Sequence, residues 1–310
     1  MTQTAAIIGA TGLQGGSVLR ALHTAGKYKL VAVTRDASSE PAKEIKAKYP
    51  NIRLAEGDLN QVESLKKAFE GADFVFGVTM LAQPGTHDGV IVDSVSAEYK
   101  QGKNITDAAI AAGVKSIVIS TIYSLNELSG GRYPEPTYFK GKLGSEKYLR
   151  SKAAEIRGAF IHIGSYMENF VSFSRISPDD NKTIEFLFPL PPATKLPLVD
   201  AATDTGGVVA YMVEHFDDFV GKSVEVSGGY YEAQEMAVAF TEATGRPAKY
   251  VQLPYEALNN KDMELIFRSF DEIGYFGYKT DFLEINEKMD YKHTTPAEFW
   301  KNRGWTGPSQ

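Results

Sequence analysis

The chain of 310 residues contains no cysteine. A disulfide framework, a thiol nucleophile, a cysteine-ligated zinc and an iron–sulfur cluster are all excluded. No such staple is needed, because a chain near 300 residues buries about 75% of its unfolded surface. Histidine is scarce as well. His23, His87, His162, His215 and His293 show no metal-ligand spacing, so no metal is expected. Long apolar runs are missing, and none approaches the ~20 residues of a membrane span. The first apolar stretch, Ala5 to Ala10, lacks a basic flank and breaks at a glycine turn, so it does not read as a signal peptide. Positive charge is in deficit: the net charge is −6, and the lysines stand singly or in pairs among acids. Without a basic stripe to neutralise phosphates, direct DNA or RNA binding is not expected. A cytoplasmic or nucleocytoplasmic globular protein is the reading these absences leave.

What is present is a rhythm. Short apolar runs at Thr4–Ile8, Lys29–Val33, Ile52–Ala55, Phe74–Val78, Ser116–Ile119 and Ala159–Ile163 predict six strands. Helical patterns lie between them. One spans 13–25 with Gly26 as its stop, and a polar one has Pro41 in its first turn. Another is opened by Asn60 and Glu63, which have capping-box spacing, and closed by Gly71. Two more are expected over 88–112 and 138–151. Alternating strands and helices predict an α/β fold: a Rossmann-type doubly wound parallel sheet over residues 1–165. Residues 166–310 predict a smaller mixed α/β domain, with helices near 204–215, 232–244 and 254–273; the boundary is soft, because strands from this half can return to the main sheet. The proline-rich segment 174–200 is the candidate for a moving lid. Tyr230, Tyr231, Tyr275, Phe276 and Tyr278 are expected chiefly to pack, and Phe299, Trp300 and Trp305 to anchor the C-terminal region.

Four of the 28 glycines fall between residues 9 and 16. Gly9-Ala10-Thr11-Gly12-Leu13-Gln14-Gly15 follows the first strand and opens the first helix. Gly9 permits the tight turn, Gly12 lets the backbone approach a pyrophosphate, and Gly15 lets helix and sheet pack closely. The helix N-terminus then offers its free N–H groups to phosphates. The end of the second strand decides between NAD and NADP. Arg35 there can pair with a 2′-phosphate, a contact worth about 1.5–3 kcal/mol. Asp36 argues for NAD if it points inward. NADP(H) is the expected cofactor. Asp58 and Leu59 end the third strand, and Thr79 and Met80 end the fourth, near the switch point of such a sheet.

These residues resemble the NmrA-like family of atypical short-chain dehydrogenases. Gly9–Ser17, Val33-Thr34-Arg35 and Gly141-Lys142 look like its signatures. So do Gly164-Ser165-Tyr166-Met167-Glu168-Asn169-Phe170 and Leu198-Val199-Asp200 with Asp204 and Gly206. The similarity runs over nearly the whole chain, most closely to the HSCARG-type branch. It implies NADP(H) binding, and it adds Lys100, Lys142, Tyr166 and Asn169 to the cofactor site. The chain departs from the pattern where Ser38 and Ser39 stand in place of a second basic residue after Arg35. That departure weakens the preference for NADP.

Two functional readings follow. Several family members are NADP(H)-responsive regulators of transcriptional or signalling partners, which implies a protein partner here. Short-chain dehydrogenases instead pair a tyrosine with a lysine four residues on, so that both side chains share one helix face. The lysine holds the nicotinamide ribose and the tyrosine moves the substrate proton. Tyr138 and Lys142 have that spacing. Ser120, Thr121 and Tyr123, at the end of the fifth strand, are candidates to orient a small carbonyl substrate. The catalytic set on this reading is Tyr138, Lys142 and Thr121.

Overall fold

A computed structural model describes residues 2–80, 85–87, 90–92, 94–289 and 291–308. The chain forms two compact units. The first comprises Met1–Ser124, Thr137–His162 and Thr205–Val224, and the second Leu125–Pro136, Ile163–Asp204 and Glu225–Gln310.

Seven strands make one sheet: β1 (Gln3–Ile8), β2 (Tyr28–Thr34), β3 (Arg53–Glu56), β4 (Phe74–Val78), β5 (Ser116–Thr121), β6 (Arg157–Ile163) and β7 (Ser223–Val226). Their order is β7-β6-β5-β4-β1-β2-β3. The pairs among β1 to β6 are parallel. At the β6 edge the amides of Phe160 and Gly164 donate to the carbonyls of Lys222 and Val226, a constant offset that fits a parallel β7. The interior strands are buried on both faces, which is why they read as unbroken apolar runs: Ala5, Ala6 and Ile7 are fully buried, as are Ile117, Val118 and Ile119. The order reverses between β1 and β4, and the crevice at such a reversal is where α/β sheets bind ligands.

The helices follow the same logic. They are α1 (Leu13–Ala25), α2 (Glu40–Lys48), α3 (Val62–Ala68), α4 (Ser94–Ala111), α5 (Thr137–Ser151) and α6 (Asp204–Glu214). α1 ends at Gly26, whose φ of 67° is the left-handed stop expected of glycine. Gly206 explains a motif glycine. Its amide donates to Ser17 Oγ at 2.8 Å, and a Cβ there would fall 2.2 Å from the Ser17 carbonyl oxygen. α6 and α1 therefore approach too closely for any side chain at 206.

The second unit contains two three-stranded sheets. One joins Ser174–Ile176, Ile184–Phe188 and Ala248–Gln252, and the other Gly229–Glu232, Lys195–Val199 and Ser165–Tyr166. Its core is aromatic. Trp300 is fully buried, stacks on Phe186 and Trp305 with centroids 5.4 Å apart in each case, and donates its indole N–H to the Met236 carbonyl at 3.0 Å. This is the expected C-terminal anchor. Among the described residues no helix is long and apolar enough to cross a membrane.

Several local expectations need correction. Residues 90–92 are not helical: Val90–Val92 pairs antiparallel with Gly85–His87, and α4 starts at Ser94. Positions 88, 89 and 93 of the expected helix lie outside the described residues. The expected helix 232–244 begins at Glu235, after a strand ending at Glu232. The expected helix 254–273 is broken into Tyr255–Leu258 and Lys261–Ile273, because the Asn260 side chain caps the second piece at the amides of Asp262 and Met263. The Asn60/Glu63 capping box does not form. α3 starts one residue later, and the local turn is organised by Asp58, whose carboxylate accepts from the Asn60 amide at 2.9 Å and the Gln61 side chain at 3.1 Å. Segment 174–200 does not read as a loose lid either. Ile184, Phe186, Leu190, Leu198 and Val199 are fully buried, and the prolines punctuate strands.

Candidate functional site

The loop between β1 and α1 is built from glycine for steric reasons. Gly9 has φ 66°, and its carbonyl accepts the Gly12 amide at 2.8 Å to close the turn. A Cβ at Gly9 would meet Val78 Cγ1 at 3.0 Å, so the ends of β1 and β4 touch here. A Cβ at Gly15 would lie 2.3 Å from the Gly9 carbonyl oxygen and 2.4 Å from that of Ile8, so nothing larger than glycine fits. Gly12 is the N-cap of α1 and supplies no side-chain acceptor. A helix N-terminus with no side-chain cap is suited to present its first-turn amides to an external acceptor. Thr11 and Leu13 are exposed on this loop and Gln14 is half-buried. This cradle fits a dinucleotide diphosphate.

At the end of β2, Arg35 is exposed. Asp36 does not extend away from its own turn. One carboxylate oxygen accepts from the Ser38 amide at 2.7 Å and the Ser38 hydroxyl at 2.6 Å, and these bonds hold the carboxyl below the usual aspartate range. The Ser38 hydroxyl, which stands where the pattern has a second basic residue, is thus already engaged. The Ala37 amide donates to Glu56 at 3.3 Å.

α4 gathers the next two strand ends. Three polar residues project from its buried side at helical intervals. Asn104 donates to the Leu59 carbonyl at 2.8 Å, beyond the end of β3. Gln101 accepts from the Met80 amide at 2.9 Å, beyond β4. Glu98 is fully buried, and its Oε1 accepts from the Thr79 hydroxyl at 2.9 Å and pairs with the Lys142 ammonium at 2.8 Å. Lys142 also donates to Thr79 Oγ1 at 3.0 Å. Leu59, Thr79, Met80 and Lys142 are therefore linked through one helix, and through Val78 to the glycine loop. Met80 remains 53% exposed, so its backbone is held while its side chain stays available.

Sequence reasoning passed over Glu98, Gln101 and Asn104. Their i, i+3, i+6 spacing was the available signal, but polar residues in such a row read as a solvated face. Lys100, which the resemblance singled out, is exposed and lies near the opposite side of α4 from Glu98.

The three candidate catalytic residues fall into two groups. Tyr138 stands in the first turn of α5, half-buried, one helical turn before Lys142. Thr121 ends β5, buried, and its hydroxyl donates to Glu146 Oε2 at 2.5 Å. Glu146 also binds His162 at 2.9 Å, Arg150 at 2.7 Å and Ser223 at 3.1 Å. Burial works against the Glu146 carboxylate, but the hydrogen bond and charge of His162, with the Thr121 hydroxyl and Arg150, outweigh it and hold Glu146 at about 2. Thr121 thus belongs to this network rather than to the group around Lys142. Ser120 is buried in β5, and the Tyr123 ring packs edge-on against Phe139 with centroids 5.6 Å apart.

Tyr166 and Asn169 lie in the second unit. Tyr166 is in strand register with Val199, and Asn169 accepts the Phe173 amide at 2.8 Å. The buried Glu168 accepts from the amides of Ala201 and Ala202, at 3.3 and 3.0 Å. Burial raises its carboxyl above the ordinary range. Asp204 accepts from the Thr294 amide and hydroxyl at 3.1 and 2.9 Å. Glu168 and Asp204, from the two later motifs, are therefore structural ties within that unit. Among the described residues no group of three or more His, Asp or Glu is arranged to hold a metal ion.

Known proteins agree with this architecture. An NmrA-like family domain-containing protein from Dictyostelium discoideum is 24% identical over 312 residues, covering 94% of this chain and 99% of its own. An NmrA-like family domain-containing oxidoreductase from Penicillium ochrochloron is 27% identical over 337 residues, covering 98% of each chain. Among solved structures, NmrA, a negative transcriptional regulator crystallised with NADP, superposes with a TM-score of 0.78 at 22% identity, covering 97% of this chain and 95% of its own. The NmrA-like family model matches residues 1–306, and the chain belongs to that family.

Proposed function

We propose that this protein binds NADP(H) on the first unit and acts as a redox-responsive regulator through a protein partner. The diphosphate would rest on Gly9–Gly15, the adenine beside Asp58 and Leu59, and the 2′-phosphate against Arg35. Thr79, Met80 and Lys142 would hold the nicotinamide end. When bound, the dinucleotide supplies a hydride equivalent, so its two forms carry the redox signal. A switch requires that the partner-competent state bind those two forms with different affinity. The chain has no thiol with which to sense redox state by another route.

The observation that carries the choice of regulator is the Glu98–Lys142 pair. A lysine already paired at 2.8 Å with a buried carboxylate can hold a ribose, but the pair leaves little net field for an ionising tyrosine. Thr121 is also engaged elsewhere, by Glu146.

A second reading, an NADPH-dependent reductase of a small carbonyl or activated alkene, is favoured by Tyr138 standing one turn before Lys142. The oxidoreductase name of the Penicillium relative points the same way. On that reading Tyr138 protonates the product oxygen.

Titration by quenching or transfer of NADPH and NADH fluorescence tests the shared claim. NADPH is expected to bind more tightly, and Arg35→Ala to shrink that preference about tenfold. Absence of binding by either nucleotide overturns both readings. The readings separate on single-turnover oxidation of NADPH with a panel of quinones and aldehydes. Turnover abolished by Tyr138→Phe establishes the reductase, and no turnover with tight binding leaves the regulator.

A further inference from the structure

We infer that Glu98 is the positioning residue of the nucleotide site, holding the Lys142 ammonium at the end of β4 through a three-member relay with Thr79. The inference rests on the NADP(H)-binding reading for its consequence, but not for its geometry.

The relay is asymmetric. Glu98 is fully buried, while the Lys142 side chain is 25% exposed. A carboxylate in that position is costly unless it is paired and hydrogen-bonded. Among the described residues only Oε1 is served, by Lys142 and Thr79, and Oε2 is buried without a hydrogen-bond partner. A helix contact selected for stability alone is better met by apolar side chains. The ammonium is the open end of the pair, so the carboxylate acts as the anchor and the lysine as the part presented.

The sequence makes room for this anchor. A Cβ at Gly141 would lie 2.8 Å from Glu98 Cβ and 2.9 Å from Oε2. Gly141 is therefore the space in which Glu98 sits, and Lys142 is the charge that answers it. The dipeptide reads as one device whose third part is on another helix. Thr79 completes it: its hydroxyl donates to Glu98 while accepting from Lys142, which fixes the direction of the hydrogen bonds.

The test uses the full chain with two readouts. The first is acylation of Lys142 by a soluble N-hydroxysuccinimide ester in nucleotide-free protein, followed by mass spectrometry with exposed Lys100 as the internal standard. Removing the counter-charge in Glu98→Gln should raise the Lys142-to-Lys100 labelling ratio at least threefold. An unchanged ratio overturns the proposal. The second is NADPH affinity. Glu98→Leu keeps the volume but removes the acceptor, and should weaken binding about as much as Lys142→Ala, roughly tenfold. Glu98→Gln retains an oxygen acceptor and should recover most of the loss. The double variant Glu98→Leu/Lys142→Ala should bind no more weakly than Lys142→Ala alone. Additive losses, or wild-type affinity in Glu98→Leu, overturn the proposal. Should Glu98→Leu fail to fold, the labelling of Glu98→Gln decides. A changed labelling ratio in a protein that binds no NADPH would remove the proposed function and leave the relay standing. NADPH binding with an unchanged ratio would do the reverse.

Discussion

The two units bury different things. The first places its buried polar groups near the carboxyl ends of its strands: Thr79, Ser120, Thr121 and His162, together with Glu98, Gln101, Asn104 and Glu146 from the helices. Close approaches there are made by glycine, at 9, 15, 102, 141 and 206. The core of the second is filled by rings, with Phe170, Phe186, Phe240 and Trp300 all fully buried. Glycine lets backbones meet and leaves polar atoms at fixed positions. Aromatic rings bury large apolar areas and pack close against one another in preferred geometries. The first unit thus gathers polar groups at its strand ends and the second centres on an aromatic cluster, and the same kind of substitution should fail differently in each.

The largest effect is expected at Gly15. Gly15→Val drives a side chain into two carbonyl oxygens that lie at 2.3 and 2.4 Å from a Cβ, so neither neighbour can give way cheaply. NADPH binding should be undetectable, and thermal unfolding should report a severely destabilised first unit. Retention of wild-type binding would remove the close-packing account of the loop.

Trp300→Ala comes next. It deletes a fully buried ring and an indole hydrogen bond, at a cost of about 3–5 kcal/mol. Native-state hydrogen exchange should accelerate first in Ile184–Phe188 and later in β1. Uniform acceleration would mean that the contrast between the units is not one of local stability.

The smallest of the three effects is set by pH. Glu146 titrates at about 2 in the folded chain against 4.5 as its ordinary value. A depressed carboxyl contributes stability that is complete above about pH 4.5 and lost as pH falls toward 2, on the order of 3 kcal/mol in all. Glu146→Gln should flatten that fall in melting temperature while lowering stability at neutral pH. An equally steep acid limb in the variant would place the titration elsewhere.

Much of the first unit was legible. Unbroken apolar runs mark strands buried on both faces, and Gly9, Gly12 and Gly15 mark a turn whose sterics permit nothing else. What stayed hidden depends on partners distant in sequence. Glu98 is buried because Gly141 and Lys142 receive it, and no helical period reveals a pair 44 positions apart. Residues 90–92 read as helix because a short antiparallel pair has no alternation long enough to declare itself. The break at 259–260 came from a side-chain cap inside an otherwise helical run, and Asp58 displaced Asn60 because its carboxylate accepts three local bonds. The 174–200 segment was misjudged because proline count was read as looseness, whereas strand burial decides it.

Gly102 has one more consequence. A Cβ there would fall 2.0 Å from Ser145 Oγ, so α4 and α5 are seated against each other at a single register and neither can slide along the other. The helix that carries Glu98 and the helix that carries Lys142 are thus fixed in their mutual offset before any ligand arrives. A lysine held in this way has already lost most of its rotamer freedom to the fold. Its ordering entropy is charged to folding and not to binding, and a ligand that meets it gains a contact without immobilising a long side chain.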